Sequence, residues 1–240
     1  GAGEIELDRD PDLFVFMGST QIELSFVVAE GINSFEDLKG KTLAMDALAT
    51  GFAFVLYRML DNAGLTSDDY ELVSVGATPH RWESVQKGEH AGTLLIEPFT
   101  GQARAGGYSI LESSLQTFTN YPGQMFGAMR GWANENRPAM ISFIQGYLDA
   151  LDWTLDPENK AEAATILGTN MPQMPAKGVA PALEKLLSPK TGLVPMGTID
   201  MDGLKTILDV RSQYAPQGKQ LTDVEKYLDL SFYEEAVSGR

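Results

Sequence analysis

Between Ser34 and Pro98, short apolar runs alternate with segments of helical periodicity, and the pattern predicts strand, helix, strand, helix, strand. The run 41–46 feeds a helix over 51–63, where Phe52, Val55, Leu56, Met59 and Leu60 recur at i, i+3, i+4, i+7 and i+8. Gly64 ends that helix. Strand 71–75 leads to helix 79–87, opened by Pro79 and stopped by Gly88. Strand 93–96 passes through Glu97-Pro98 into helix 98–105, and strand 108–111 closes the block after Gly106-Gly107. In a parallel sheet the three strand-to-helix junctions fall on one edge, where helix N-termini present unpaired N–H groups and a positive dipole end. Such an edge receives a small polar or anionic molecule.

The flanks read differently. A polar start with a turn at Asp8-Arg9-Asp10-Pro11 precedes two apolar strands, 13–17 and 24–29, separated by Gly18-Ser19-Thr20. Ser34-Phe35-Glu36-Asp37-Leu38-Lys39-Gly40 predicts one helical turn with a Ser cap and a Gly stop. Beyond Ser113, residues 117–119 and 124–130 look extended around Tyr121-Pro122-Gly123. Four helical segments follow. Asn136-Arg137-Pro138 caps a long one bearing Met140, Ile141, Ile144, Leu148 and Leu151. Asp156-Pro157 caps the next, a Pro-broken segment covers 175–187, and Asp200 caps one bearing Leu204, Ile207 and Leu208. The strand–helix block is thus flanked on both sides by chain of a second body. Trp132 and Trp153 are expected in its core, and Met171 to Met174 in a loop.

Composition narrows the chemistry. With 240 residues and 43% hydrophobic content the chain can bury a large core, as one domain or two lobes. A net charge of −15 argues against nucleic acid, which needs clustered Lys and Arg. The absence of cysteine removes thiol catalysis, Cys-type zinc sites, iron–sulfur clusters and disulfides together, and it is compatible with an oxidising compartment. No apolar run approaches the roughly 20 residues of a membrane helix.

An ordered set of short motifs resembles the substrate-binding proteins of importers for nitrate, taurine, alkanesulfonate and thiamine precursors. Ser34-Phe35-Glu36-Asp37-Leu38-Lys39-Gly40-Lys41 resembles their s-x-x-DLKGK signature. Thr50-Gly51, Gly64-Leu65, Gln86-Lys87-Gly88-Glu89, Glu97-Pro98, Gly106-Gly107-Tyr108, Tyr121, Arg130-Gly131-Trp132, Asn136-Arg137-Pro138, Ala150-Leu151-Asp152-Trp153 and Tyr227-Leu228-Asp229 follow in the family's order. The resemblance implies an α/β, periplasmic-binding-protein-like fold of type II: two lobes with parallel or mixed sheets, a ligand cleft between them, and two chain crossings. Residues 1–31 would supply lobe I strands and the first crossing, 32–113 a complete lobe II, and 114–240 the return crossing and the helical part of lobe I. Relatives have already completed an opening strand–helix–strand–helix section where this chain starts, so lobe I is expected to be incomplete, with an uncovered sheet that favours self-association. The implied partners are a small-molecule ligand and the membrane permease of an ABC importer, in a periplasmic or extracytoplasmic setting, with no cofactor.

Seven residues are candidate ligand contacts. Thr50, Gly51 and Phe52 open the first helix of the block, where a hydroxyl and a side-chain-free N–H suit a carboxylate or sulfonate; simple N-capping is the plain alternative for Thr50. Asp46 ends the strand beside them and suits a ligand amine or hydroxyl, or merely a turn. Arg81, in the first turn of its helix against the dipole, is the cation of choice for an anion, set against a solvated surface role. Glu97 closes the third junction and is expected to face the cleft, and Tyr121 lies at the return crossing, where packing is the alternative. Trp82 is expected to pack against the lobe.

No catalytic or metal constellation stands out. His80 and His90 lack a partner at metal-ligand spacing, and neither G-x-S-x-G nor a Walker loop occurs. Asp200-Met201-Asp202-Gly203 starts like a calcium loop but lacks the distal Glu. The reading is therefore a non-enzymatic solute-binding protein. The alternative is an enzyme on the same fold related to thiamine-pyrimidine synthesis, whose iron motif is rich in cysteine and is disfavoured here. A sensing domain detached from a regulator is a third possibility, without a DNA-binding segment in this chain.

Overall fold

A computed structural model describes residues 12–172, 174–215, 218 and 220–240; the turn expected at Asp8 to Pro11 lies outside them. The chain divides into two compact units. One holds the described residues up to Ile22 with Pro122–Met201 and Asp223–Arg240; the other holds Glu23–Tyr121 and Asp202–Thr222.

The second unit is built on a five-stranded mixed sheet. Its strands are β2 (Ser25–Val28), β3 (Lys41–Met45), β4 (Tyr70–Ser74), β5 (Gly92–Leu95) and β6 (Ile110–Ser113), in the order β4-β3-β5-β2-β6. β3 runs parallel to β4 and β5, whereas β2 runs antiparallel to β5 and β6. Helices α1 (Gly51–Asn62), α2 (Thr78–Gln86) and α3 (Phe99–Ala105) follow β3, β4 and β5 in turn. The apolar stripe of α1 is buried as its spacing requires: Val55, Leu56, Met59 and Leu60 are sealed from solvent. Between β2 and β3, Glu36–Leu38 form a single 3-10 turn that ends at Gly40.

This unit is larger than the expected 32–113. β2 is an interior strand paired on both sides, so the chain enters the unit at Glu23. It also returns in α9 (Met201–Tyr214), most of which packs along α1. Arg58 donates to Asp209 (3.0 Å) and Gln213 (2.7 Å), Asp61 accepts from Tyr214 (2.7 Å), and the Tyr57 and Tyr214 rings stack at 5.5 Å. The chain therefore passes between units four times instead of twice. Nor is 117–119 wholly extended: a capping box at Ser113 starts the one-turn helix α4 (Ser114–Thr117).

The first unit pairs β1 (Leu13–Gly18) antiparallel with β7 (Met125–Met129). Helices α5 (Arg130–Glu135), α6 (Arg137–Leu155), α7 (Lys160–Asn170), α8 (Ala176–Leu186) and α10 (Ser231–Ser238) complete the unit, with α5 against β7 and α10 against β1. α6 buries Met140, Ile144, Leu148 and Leu151 against Phe14, Phe16, Met17, Phe232 and Ala236. Phe14 stacks on Phe232 at 5.6 Å between ring centroids. The sequence pattern missed α5 and α10, both short. Trp132 departs from its expected core position: it is 52% exposed, because Ala133 is the α5 side chain turned to the core. Trp153 is half-buried.

Candidate functional site

Because β3, β4 and β5 are mutually parallel, their C-terminal ends Met45, Ser74 and Leu95 lie on one edge of the sheet, and α1, α2 and α3 all start from it. The edge is tied locally: Val75 and Gly76 both donate their N–H to the Met45 carbonyl (2.8 and 3.2 Å), and the Ser74 hydroxyl donates to the Asp46 carbonyl (3.1 Å).

At the start of α1 one hydroxyl serves two neighbours. Thr50 Oγ1 accepts from the Ala53 N–H (3.1 Å) and donates to Asp46 Oδ1 (2.9 Å). Thr50 is therefore the helix cap, and its bond to Asp46 holds the carboxylate over the first turn. The helical ladder begins with Phe54 N–H donating to the Thr50 carbonyl (3.0 Å), so the Gly51 and Phe52 N–H groups stand ahead of it. Tyr121 donates its phenol to the Gly51 carbonyl (3.2 Å) and leans on Phe118 at 4.9 Å. Burial pushes the Tyr121 hydroxyl up to about 12, against a smaller opposing pull from Arg211, so it is a neutral donor at physiological pH.

Arg81 lies beneath this edge instead of on it. Only 1% of the residue is exposed. Nε donates to Thr93 Oγ1 (3.1 Å), Nη1 to the Gly76 carbonyl (2.6 Å), and Nη2 to Thr78 Oγ1 and the Leu94 carbonyl (both 3.1 Å). Thr93 in turn donates to the Ala44 carbonyl (2.7 Å). One guanidinium thus links the ends of all three parallel strands. Gly76 sits at φ +99°, a backbone conformation that side-chain-bearing residues resist, and its carbonyl receives the shortest of these bonds. The solvated surface role is excluded. Burial pulls the guanidinium below the usual arginine range, with Asp46 acting in the opposite sense, and the Phe52 ring lies 5.9 Å from Arg81 Cζ.

Asp46, Thr50, Gly51, Phe52, Tyr121 and Arg81 are therefore brought together around the first turn of α1. Glu97 sits at the end of β5 on the same edge, but its carboxylate folds back onto α3: Oε2 accepts from the Gly101 N–H (3.1 Å) and Oε1 lies 3.9 Å from Arg104 Nη1. Trp82 is buried edge-on against Tyr108, 4.8 Å away, and His80 is exposed. His90 Nδ1 lies 2.9 Å from Thr42 Oγ1. Among the described residues no three His, Asp or Glu side chains converge as metal ligands.

Sequence reasoning overlooked Arg211. It is 7% exposed, with Cζ 5.5 Å from the ring centroid of Phe54 in the first turn of α1. Its signal was present: Leu204, Leu208 and Arg211 recur at i, i+4 and i+7, which places the arginine on the buried stripe of α9.

Residues 24–168, more than half of the chain, match the NMT1-like family. The chain belongs to the NMT1-like family. Its fold is that of the periplasmic binding proteins. The NMT1-like chain superposes on the periplasmic aliphatic sulphonate binding protein SsuA from Escherichia coli with a TM-score of 0.68 at 20% identity, over 91% of this chain and 70% of that one. The periplasmic nitrate-binding protein NrtA from Synechocystis PCC 6803 gives 0.70 at 14% identity, over 95% and 67%. The desulfurization enzyme DSZB gives 0.67 at 14% identity, over 99% and 83%. No curated protein matches the NMT1-like sequence.

Proposed function

We propose that this NMT1-like protein is the solute-binding component of an ABC-type importer. It takes a small polar or anionic organic solute, such as a sulfonate, a carboxylate or a pyrimidine-like ring, and releases it unaltered to a membrane permease outside the cytoplasm. The observation that carries the reading is the first turn of α1. There the Gly51 and Phe52 N–H groups, the Thr50 hydroxyl and the Asp46 carboxylate converge, with the Arg81 charge in the layer beneath. In this reading the amides hold the anionic group and Asp46 orients a donor on the solute. Phe52 and Tyr121 flank the solute, while the Glu97 carboxylate stays turned back onto α3. Arg81 acts through its field, since its own donors are committed to carbonyl and hydroxyl oxygens. The ligands for which these fold neighbours are named, aliphatic sulphonate and nitrate, are of the same charge class.

One observation favours a second reading. DSZB is an enzyme on this fold, so a reaction at the same edge is the competing function. A thermal-shift screen with sulfonates, carboxylates, nitrate and pyrimidines separates the two. Binding without chemistry gives a saturable rise in Tm, and mass spectrometry recovers the solute unchanged. Conversion of the solute would move the assignment to an enzyme, and a flat response to every class would remove the solute-binding reading.

A further inference from the structure

We propose that the seam between β2 and α3 is a binding site for one ordered water, held jointly by Ser25 Oγ and Thr100 Oγ1. Ser25 is 1% exposed and Thr100 2%, and neither hydroxyl oxygen has a hydrogen-bond partner among the described residues. Both face the same seam. Ser25 stands opposite Leu95 in the ladder, and residues directly opposite share a face of the sheet. Leu95 and Val27, two residues along from Ser25, pack with Trp82, Val85 and Ala103 on the α2–α3 side. Thr100 precedes Ala103 by three residues on α3 and so shares its helix face.

Thr100 is also an exception among its kind. Thr154, Thr165, Thr169 and Thr206 each donate their hydroxyl to the carbonyl four residues earlier, the usual way a helical threonine satisfies itself. Thr100 leaves the corresponding Ile96 carbonyl to its own N–H (3.1 Å) and turns the hydroxyl inward. Two unpaired hydroxyls in an apolar seam are costly, whereas a water donates and accepts with both. The water seats α3 on β2, the two elements being in contact.

A high-resolution crystal structure of the wild-type protein tests this directly. The expected result is a density peak at hydrogen-bond distance from both hydroxyls. A dry seam, or a Thr100 hydroxyl turned to the Ile96 carbonyl, would overturn the proposal. Thermal unfolding of Ser25→Ala, Thr100→Val and the double variant gives an independent reading. A shared water makes the double variant lose no more Tm than the worse single one, and strictly additive losses contradict it. Neither measurement involves a solute, so the outcome stands apart from the transport reading.

Discussion

Among the described residues, every buried polar or charged side chain belongs to the unit with the five-stranded sheet: Ser25, Arg81, Ser84, Thr93, Thr100, Ser114, Arg211 and Ser212. Among the described residues, the fully buried side chains of the unit around the two-stranded sheet are apolar, with Phe14, Phe16, Ile144, Leu148 and Phe232 at its centre. Both have a well-sealed interior, so the difference is not one of packing. Where a buried guanidinium or hydroxyl is hydrogen-bonded, as in Arg81 and Thr93, the bonds fix geometry more sharply than apolar contacts do. The polar interior of the second unit lies largely under one sheet edge, where Arg81 and Thr93 join three strand ends. That edge is held in a defined shape, while the other unit is held mainly by volume.

The contrast can be broken from either side. The largest loss of stability is expected from Phe14→Ala, at about 3–5 kcal/mol by denaturant unfolding, with solute affinity of the folded protein unchanged. Arg81→Ala should cost about 2–3 kcal/mol, because it strips donors from the part-buried Gly76 and the buried Leu94 carbonyls, and it should weaken an anionic solute tenfold or more by calorimetry. Unchanged affinity in that variant would remove Arg81 from the site. Thr50→Ala should cost about 1 kcal/mol for the lost cap and reduce affinity as Asp46 is released, with Thr50→Ser restoring both.

The smallest effect is electrostatic and lies away from the edge. Asp37 is held below the usual aspartate range by the Asn33 N–H and the Ser34 hydroxyl, and Asp69 by the N–H and hydroxyl of Thr66. A carboxylate with a depressed folded pKa contributes stability that is present above its unfolded value of 3.8 and is lost as pH falls through the folded value. Asp37→Asn should therefore lower stability slightly at neutral pH and flatten the acid limb below about pH 4, where the variant and the wild-type protein converge.

The strand–helix order of the second unit was legible because its signals are local. Thr50 caps, Gly40, Gly64 and Gly88 stop, and the α1 stripe repeats without a break. The common edge followed from that order alone. The fate of Arg81 did not, because its partners Thr93 and Leu94 come from a strand twelve and thirteen residues away and become acceptors only once the sheet forms. β2 read as a strand, yet its place between β5 and β6 rests on non-local pairing that no periodicity encodes. α9 was legible as a helix, but its attachment depends on Arg58 and Asp61 of α1 meeting Asp209, Gln213 and Tyr214. Trp132 misled because bulk was read as burial, while the neighbouring Ala133 took the inward position.

The most direct measurement is a backbone NMR titration of the folded protein with a stabilising solute from the thermal-shift panel. Solute held at α1 would shift the Gly51 and Phe52 amides first and most, with smaller changes at Asp46, Thr50 and Tyr121. Saturating binding that leaves the Gly51 and Phe52 amides unmoved and shifts residues elsewhere would contradict a solute site at this sheet edge.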